Sequence, residues 1–184
     1  MKITETPIPG LLVVEPHVIA DHRGYFFESW HQERYFEAGI NADFIQDNES
    51  KSVQGVVRGL HYQLDPFSQA KLVRVVDGQV LDVAVDLREG SPTFGKWYGV
   101  LLDSSSKKQL YIPRGFAHGF SVLSQTAVFS YKCDNKYNKA AERAINIYDP
   151  GLGIDWRLGE IEPVISEKDK NAPFFDDAEM NFKY

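Results

Sequence analysis

The sequence predicts a mainly β fold, in which antiparallel strands form a barrel or jelly roll with short flanking helices. Between Val53 and Cys133, runs rich in β-branched and aromatic residues alternate with turn residues, which is the pattern of a sandwich or barrel. No long amphipathic helix lies between the runs, so an alternating parallel α/β sheet is not expected. The runs are VVRGLHYQL, KLVRVVDGQVLDVAVDLR, WYGVLL, QLYIP and GFSVLSQTAVFSYKC. Asp77-Gly78 inside the longest run predicts a β-hairpin.

Two flanking segments predict short helices. Ser29 with Gln32 matches a capping box and Gly39 matches a C′ stop, which together predict a helix over residues 30–38. A second helical turn is expected from Ser166 onwards. The polar, proline-bracketed region around that turn predicts an irregular tail packed on the barrel.

Length and composition indicate one globular domain. At 184 residues the chain can bury one sizeable core, and 43% hydrophobic with 25% charged residues is typical of globular proteins. We expect a single domain over residues 1–184. Within it we expect an N-terminal arm with a short helix at 1–50, a barrel core at 51–133, and final strands with a C-terminal segment at 134–184.

Charge, cysteine count and hydropathy disfavour several classes of function. The net charge of −6 disfavours nonspecific binding to nucleic acid, and the single cysteine, Cys133, excludes an internal disulfide and a multi-cysteine metal site. No segment approaches the roughly 18 apolar residues of a membrane-spanning helix. Residues 1–18 lack the apolar core of a signal peptide. We therefore expect a cytoplasmic protein with neither a nucleic-acid nor a membrane partner.

Polar residues in one predicted strand suggest a site for chemistry. The segment GVVRGLHYQ contains Arg58, His61 and Gln63. Since side chains alternate along a strand, His61 and Gln63 share one face, and Arg58 joins them only through an irregularity at Gly59. Further along, the segment IPRGFAHG places His118 after a turn of proline and glycine.

These two segments resemble the two motifs of the cupin superfamily. The first motif aligns with Gly55, His61, Gln63, Lys71 and Gly78, and the second with Pro113, Gly115 and His118. The glycine and proline framework is present, but Gln63 stands where a second histidine ligand belongs and Lys71 where a glutamate belongs. Because an ammonium repels a divalent cation and three ligands are no longer available, we expect a site without metal.

A narrower resemblance covers nearly the whole chain. The segments are QDNES, GVVRGLHYQ, QAKLVRVVDG, DVAVDLREGSPTFG, IPRGFAHGFSVLS, YKCDNKY and SEKD. In this order they are similar to the serial motifs of the dTDP-4-dehydrorhamnose 3,5-epimerases. The resemblance implies an isomerase without a cofactor, which inverts both carbons flanking the ketone of dTDP-4-dehydro-6-deoxy-D-glucose to give dTDP-4-dehydro-L-rhamnose.

That reaction requires a base, a positive charge or donor for the enolate oxygen, and a proton source. His61 suits the base because imidazole titrates near neutral pH. The resemblance implies Asp169 as the carboxylate that orients it and Tyr131 as the proton donor. Lys71, together with His118, is expected to stabilise the enolate oxygen.

The nucleotide part of the substrate needs further residues. Arg23 and Arg58 suit the diphosphate because guanidinium donors match phosphate oxygens in pairs, and Tyr137 could stack on thymine. The resemblance also implies a homodimer in which an N-terminal arm carrying Arg23, Phe26 and Glu28 reaches the neighbouring subunit's site. The other expected substrate-binding positions are Gln46, Asn48, Gln63, Glu142 and Lys168.

Alternative functions remain open at this point. A relative could epimerise one carbon only, or move the keto group along a similar sugar nucleotide. A metal-dependent cupin oxygenase or isomerase is disfavoured by Gln63 and Lys71, and a non-catalytic sugar-binding cupin would not need a histidine, lysine and tyrosine set. Taken alone, Tyr131 could be a packing residue and Asp169 part of a solvated charged surface.

Overall fold

The computed structural model describes residues 1–184, and antiparallel strands dominate it. The strands are β1 Lys2–Glu5, β2 Leu12–Glu15, β3 Val18–Asp21, β4 Gly24–Phe27, β5 Gln46–Val53, β6 Val57–Gln63, β7 Lys71–Asp77, β8 Gln79–Asp86, β9 Trp97–Asp103, β10 Gln109–Ile112, β11 Phe116–Val122, β12 Thr126–Cys133 and β13 Glu142–Ala144. The helices are α1 Gln32–Glu37, α2 Glu167–Lys170 and a 3₁₀ turn at Phe175–Asp177. The mainly β fold class with short helices is confirmed.

Two sheets face each other across the barrel. The six-stranded sheet has the order β1-β2-β10-β7-β12-β5, and the five-stranded sheet has the order β13-β6-β11-β8-β9. Strands β3 and β4 form a separate hairpin. The first fifty residues thus supply this hairpin and α1, and they also supply β1, β2 and most of β5 to the six-stranded sheet.

The predicted hairpin at Asp77-Gly78 is wrong. β7 belongs to the six-stranded sheet and β8 to the five-stranded sheet, so the chain turns a corner of the barrel here instead of folding back on itself. Gly78 has a φ of +81°, and a Cβ at this position would overlap the carbonyl oxygen of Thr126. The Asp-Gly pair therefore marks a left-handed corner that excludes side chains.

The predicted helix is shorter than expected at its start. It begins at Gln32, and the side chain of His31 caps it in place of Ser29. Gln32 donates its amide to Asp43 at 2.9 Å instead of completing a capping box. Gly39, with a φ of +89°, follows the C-cap as predicted.

The core has one layer between the sheets and two outer layers, one against the five-stranded sheet and a smaller one where α1 packs on the six-stranded sheet. Between the sheets, Phe120 stacks on Phe129 with ring centroids 4.2 Å apart. Outside the five-stranded sheet, the tail after β13 buries Trp156, Leu158 and Phe182 against β6 and β8. This agrees with the expected irregular tail on the barrel. Neither helix has the length and apolar character needed to cross a membrane.

Candidate active site

A cavity of about 400 Å³ lies between the two sheets. Residues from β5, β7 and β12 of one sheet and from β6, β11 and β13 of the other line it, together with loop residues. The predicted site residues among them are Gln46, Asn48, His61, Gln63, Lys71, Tyr131, Tyr137 and Glu142. Residues far apart in sequence therefore share one cavity.

His61 and Asp169 form a close pair at this cavity. His61 Nε2 donates to Asp169 Oδ1 at 2.6 Å, and the histidine side chain is 34% exposed while the carboxylate is 5% exposed. Burial opposes ionisation of Asp169, but the hydrogen bond and charge of His61, with help from Ser166 and the Gly59 backbone, lower its pKa. An ionised Asp169 fixes the tautomer of His61 and leaves Nδ1 as its basic nitrogen.

Helix α2 presents Asp169. Ser166 is its N-cap, and the hydroxyl of Ser166 accepts a hydrogen bond from the backbone N–H of Asp169 at 3.1 Å. The predicted helical turn at Ser166 is thereby confirmed. Asp169 is the buried side chain of a helix whose other side chains are exposed, although the sequence around it resembles a solvated surface.

Lys71 and Tyr131 come from the opposite wall, because β7 and β12 belong to the six-stranded sheet. The ammonium of Lys71 lies 5.9 Å from the centre of the Tyr131 ring. Burial lowers the pKa of Lys71, with opposing contributions from Cys133, Asp82 and Glu142. Burial likewise raises the pKa of Tyr131, which keeps its hydroxyl protonated at neutral pH. The amino group of Lys71 and the hydroxyl of Tyr131 thus lie on the wall opposite His61.

His118 is not among the residues that line the cavity. It is buried, and its Nε2 donates to Asp82 Oδ2 at 2.9 Å. Burial lowers the pKa of His118, and the nearby Lys71 and His61 act in the same direction, while Asp82 opposes them. Sequence reasoning missed Asp82, whose only signal was a carboxylate inside the apolar run QVLDVAV.

The predicted irregularity at Gly59 is confirmed. His118 pairs with His61 and Phe120 pairs with Arg58, so β6 carries one more residue than β11 over this stretch. A Cβ at Gly59 would lie 2.6 Å from the Cα of Gly119, which explains why this bulge has no side chain. Arg58 donates to the Ser52 hydroxyl at 3.1 Å and is not among the residues that line the cavity.

A set of polar contacts forms the rim of the cavity. Glu142 accepts from the Tyr137 hydroxyl at 2.9 Å and lies 2.5 Å from the ammonium of Lys168. Gln46 donates to Asn48 at 2.9 Å.

The side-chain amide of Gln63, unlike the rim residues, bonds only to backbone groups. It donates to the Phe67 carbonyl at 2.7 Å and accepts from the Asn138 N–H at 2.6 Å. Gln63 therefore braces the loops around the cavity.

Three predicted residues lie away from the cavity of their own chain. They belong to or adjoin the β3–β4 hairpin: Arg23 pairs with Asp21, Glu28 pairs with Arg34, and Phe26 is 71% exposed. No group of three or more histidine, cysteine, aspartate or glutamate side chains is placed to hold a metal ion.

Comparisons with known proteins agree with one another. Residues 5–177 match the family model described as dTDP-4-dehydrorhamnose 3,5-epimerase. The chain is 52% identical over 180 residues to the dTDP-4-dehydrorhamnose 3,5-epimerase of Shigella flexneri. The matched region covers 97% of this chain and 98% of the relative. Among solved structures, the enzyme of that name from Elizabethkingia anophelis NUHP1 has a TM-score of 0.92 and 54% identity, with 96% of this chain and 97% of that chain covered.

A second solved structure contains a ligand. It is the dTDP-6-deoxy-D-glucose-3,5-epimerase of Legionella pneumophila Philadelphia 1, in complex with dTDP-4-keto-L-rhamnose. The TM-score is 0.95 and the identity 48%, with 100% of this chain and 98% of that chain covered.

Proposed function

The chain belongs to the dTDP-4-dehydrorhamnose 3,5-epimerase family and is an isomerase, and we propose that it inverts both carbons flanking the ketone of dTDP-4-dehydro-6-deoxy-D-glucose. The product is dTDP-4-dehydro-L-rhamnose. One observation carries the mechanism: the His61–Asp169 pair at 2.6 Å faces Tyr131 and Lys71 across one cavity. The 184 residues act as one domain.

His61 acts as the base. A carbon beside a ketone loses a proton because the resulting enolate delocalises the negative charge onto oxygen. Asp169 holds the imidazole in one tautomer and stabilises the imidazolium that forms, since its own pKa is lowered in this environment. The partial exposure of His61 supports this role, because the substrate must reach the nitrogen.

Lys71 stabilises the enolate oxygen. Its ammonium lines the cavity and supplies a fixed positive charge in a half-enclosed site, where such a charge acts more strongly than in water. The loss of one donor of this kind typically costs about 3 to 4 kcal/mol of transition-state stabilisation. His118 contributes indirectly, through its hydrogen bond to Asp82, whose charge favours the ammonium of Lys71.

Tyr131 returns a proton on the other face. Inversion requires that the carbon lose its proton on one side and gain a proton on the opposite side. His61 and Tyr131 belong to different sheets and line one cavity, which supports opposite approaches. The raised pKa of Tyr131 keeps the hydroxyl protonated until the enolate forms.

The remaining predicted residues bind the nucleotide and the sugar. We infer that Arg58 binds a phosphate, that Tyr137, Glu142 and Lys168 at the rim bind the nucleoside, and that Gln46 and Asn48 bind the substrate inside the cavity. In the homodimer that we propose, the exposed β3–β4 hairpin inserts into the neighbouring subunit. Its residues for this contact are Arg23, Phe26 and Glu28.

Solvent isotope exchange tests this proposal. The keto-sugar substrate is incubated with the protein in deuterated water, and NMR measures deuterium at each carbon beside the ketone. Deuterium at both carbons is expected. Incorporation at one carbon supports the single-position epimerase instead, and binding without any exchange supports the non-catalytic sugar-binding protein.

A further inference from the structure

Helix α2 carries the carboxylate of the proposed base pair, yet it has little to hold it in place. It consists of four residues, Glu167–Lys170, and the only one of them that is buried is Asp169. A helix of this length is not stable by itself, and no apolar side chain of α2 packs on the barrel. Polar contacts must therefore set the position of the helix relative to His61.

The chain is attached to the barrel on both sides of α2. Before the helix, the backbone of Val164 pairs with Gly55 and Val57 at 2.9 and 3.0 Å. After it, the carbonyl of Pro173 accepts from the backbone N–H of Asn146 at 2.8 Å. Between these two points, Asp169 attaches the helix to β6 through His61 and the backbone of Gly59, and the C-terminal end of the helix needs an attachment of its own.

The side chain of Asn146 supplies that attachment. Its Nδ2 donates to the carbonyl of Lys170 at 3.0 Å and to the carbonyl of Ala172 at 3.3 Å, which are carbonyls at the C-terminal end of α2. Its Oδ1 accepts from the Tyr148 N–H at 2.9 Å, which fixes the orientation of the amide. Both donor hydrogens therefore point at the end of the helix.

Asn146 is also attached to the strand of the base. It follows β13, in which Ala144 pairs with His61. The next residue, Ile145, exchanges two backbone hydrogen bonds with Leu60, at 2.9 and 3.1 Å. A continuous series of contacts thus runs from His61 through β13 to Asn146, from Asn146 to α2, and from Asp169 on α2 back to His61.

We propose that Asn146 is a positioning residue, which holds α2 so that Asp169 stays in hydrogen-bond contact with His61. This inference rests on the proposed function, because the position of Asp169 matters only if His61 is the base. Asn146 touches neither the cavity nor the reacting atoms, so it acts through Asp169 alone.

Two substitutions and a matched control test the proposal. Asn146→Ala removes the whole amide, while Asn146→Asp keeps the size and the acceptor for Tyr148 but cannot donate to the helix. Asn171→Ala is the control, because it removes a similar bond at 2.7 Å to the Glu167 carbonyl within the same segment, without a link to the barrel. Each variant is first compared with the wild type by circular dichroism.

Steady-state kinetics separate positioning from binding. Both Asn146 variants should lower kcat about tenfold with KM within about twofold, since small misplacement of a catalytic group can cost up to about 10²-fold. Asn171→Ala should retain wild-type kcat. Loss through KM alone, or an equal loss in Asn171→Ala, would overturn the proposal.

A double-mutant cycle identifies the residue through which Asn146 acts. In an Asp169→Asn background, Asn146→Ala should change kcat by less than about twofold, because the interaction it supports is already gone. A tenfold loss in that background would overturn the proposal. If the wild type shows no isotope exchange, the proposed function fails. If the wild type exchanges and the Asn146 variants match the control, the positioning role alone fails.

Discussion

The protein contains two histidine–aspartate pairs of similar geometry and different surroundings. The His61–Asp169 pair has a separation of 2.6 Å, and its histidine side chain is 34% exposed. The His118–Asp82 pair has a separation of 2.9 Å, and its side chains are 8% and 0% exposed. Since His61 and His118 are register partners on β6 and β11, the two imidazoles are neighbours on adjacent strands. Access to the cavity, not residue type, distinguishes them.

The two pairs are also built differently. His118 and Asp82 lie on the adjacent strands β11 and β8 and both point between the sheets, so the barrel itself sets their contact. His61 and Asp169 are 108 residues apart and meet only because α2 docks beside β6. A buried pair within a sheet suits a fixed electrostatic role, whereas a pair joined through a docked helix combines orientation with access for the substrate.

Replacement of the two histidines should give the largest contrast. His61→Asn removes the proposed base and should lower kcat by about 10² to 10⁴-fold, the usual value of general base catalysis, while binding of dTDP remains. His118→Asn should lower kcat less, because the proposed base is intact. Isotope exchange and calorimetric binding of dTDP measure both effects. Equal losses in the two variants would remove the distinction between a catalytic and a supporting pair.

Replacement of the two carboxylates should separate activity from stability. Asp169→Asn should lower kcat by about 10²-fold, because a misoriented base reacts poorly, and should change stability little. Asp82→Asn should lower the free energy of unfolding by about 1 to 3 kcal/mol, since it weakens a buried hydrogen bond to a charged group. Urea unfolding and kcat are measured on the same samples. If Asp169→Asn lowered stability and Asp82→Asn lowered kcat, the roles assigned to the two pairs would be reversed.

Much of the fold was predictable because strands leave a local pattern. The runs from Val57 to Cys133 contain strands as expected, and His61 and Gln63 share the cavity face because side chains alternate. The corner at Asp77-Gly78 was mistaken for a hairpin. A glycine with positive φ occurs both in a tight hairpin turn and in a corner between sheets. Only the pairing of the next strand decides whether the chain returns to the same sheet.

The supporting residues of the site were less predictable. Asp82 lies in an apolar run with no local partner, and its histidine is 36 residues away in sequence. Asp169 lies among charged neighbours, so that only the family resemblance marked it. Asn146 gave no signal, because its role depends on two carbonyl groups more than twenty residues further along the chain. Hydrophobic periodicity contains no information about such long-range polar contacts.

The charge of Asp82 should also affect the alkaline limit of activity. Burial lowers the pKa of Lys71, and among the opposing groups Cys133 acts only as a thiolate. Burial raises the pKa of the Cys133 thiol, so Asp82 and Glu142 are the effective negative charges at neutral pH. Removal of the Asp82 charge should lower the pKa of Lys71 further.

The pH profile of kcat measures that shift. In Asp82→Asn the alkaline limb should move to lower pH, because a nearby charge of opposite sign no longer favours the ammonium. Glu37→Gln is a control, because it neutralises an exposed carboxylate on α1. An unchanged limb in Asp82→Asn would show that the buried pair does not act on Lys71.

The smallest expected effect is a difference in the pH dependence of stability. Because the folded-state pKa of His118 is lowered by burial, the unfolded chain binds a proton first as the pH falls below about 6.5. The free energy of unfolding should then fall, by at most about 1.4 kcal/mol per pH unit for one proton. The folded-state pKa of Asp169 is lowered too, but for a carboxyl group the stabilisation is present above about pH 4 and is lost as the pH falls through the lowered value.

The two pairs therefore affect stability in separate pH ranges. Urea unfolding at about pH 8, 5 and 3 should show that His118→Asn reduces the decrease between the first two values, while Asp169→Asn reduces the decrease between the last two. If His118→Asn leaves the decrease over the upper range unchanged, burial does not lower the pKa of His118; if it enlarges the decrease, the folded protein binds the proton more tightly than the unfolded chain does. In the second case the buried pair would carry an imidazolium, as the proposed base pair does after it takes a proton, and the contrast between the pairs would rest on access alone.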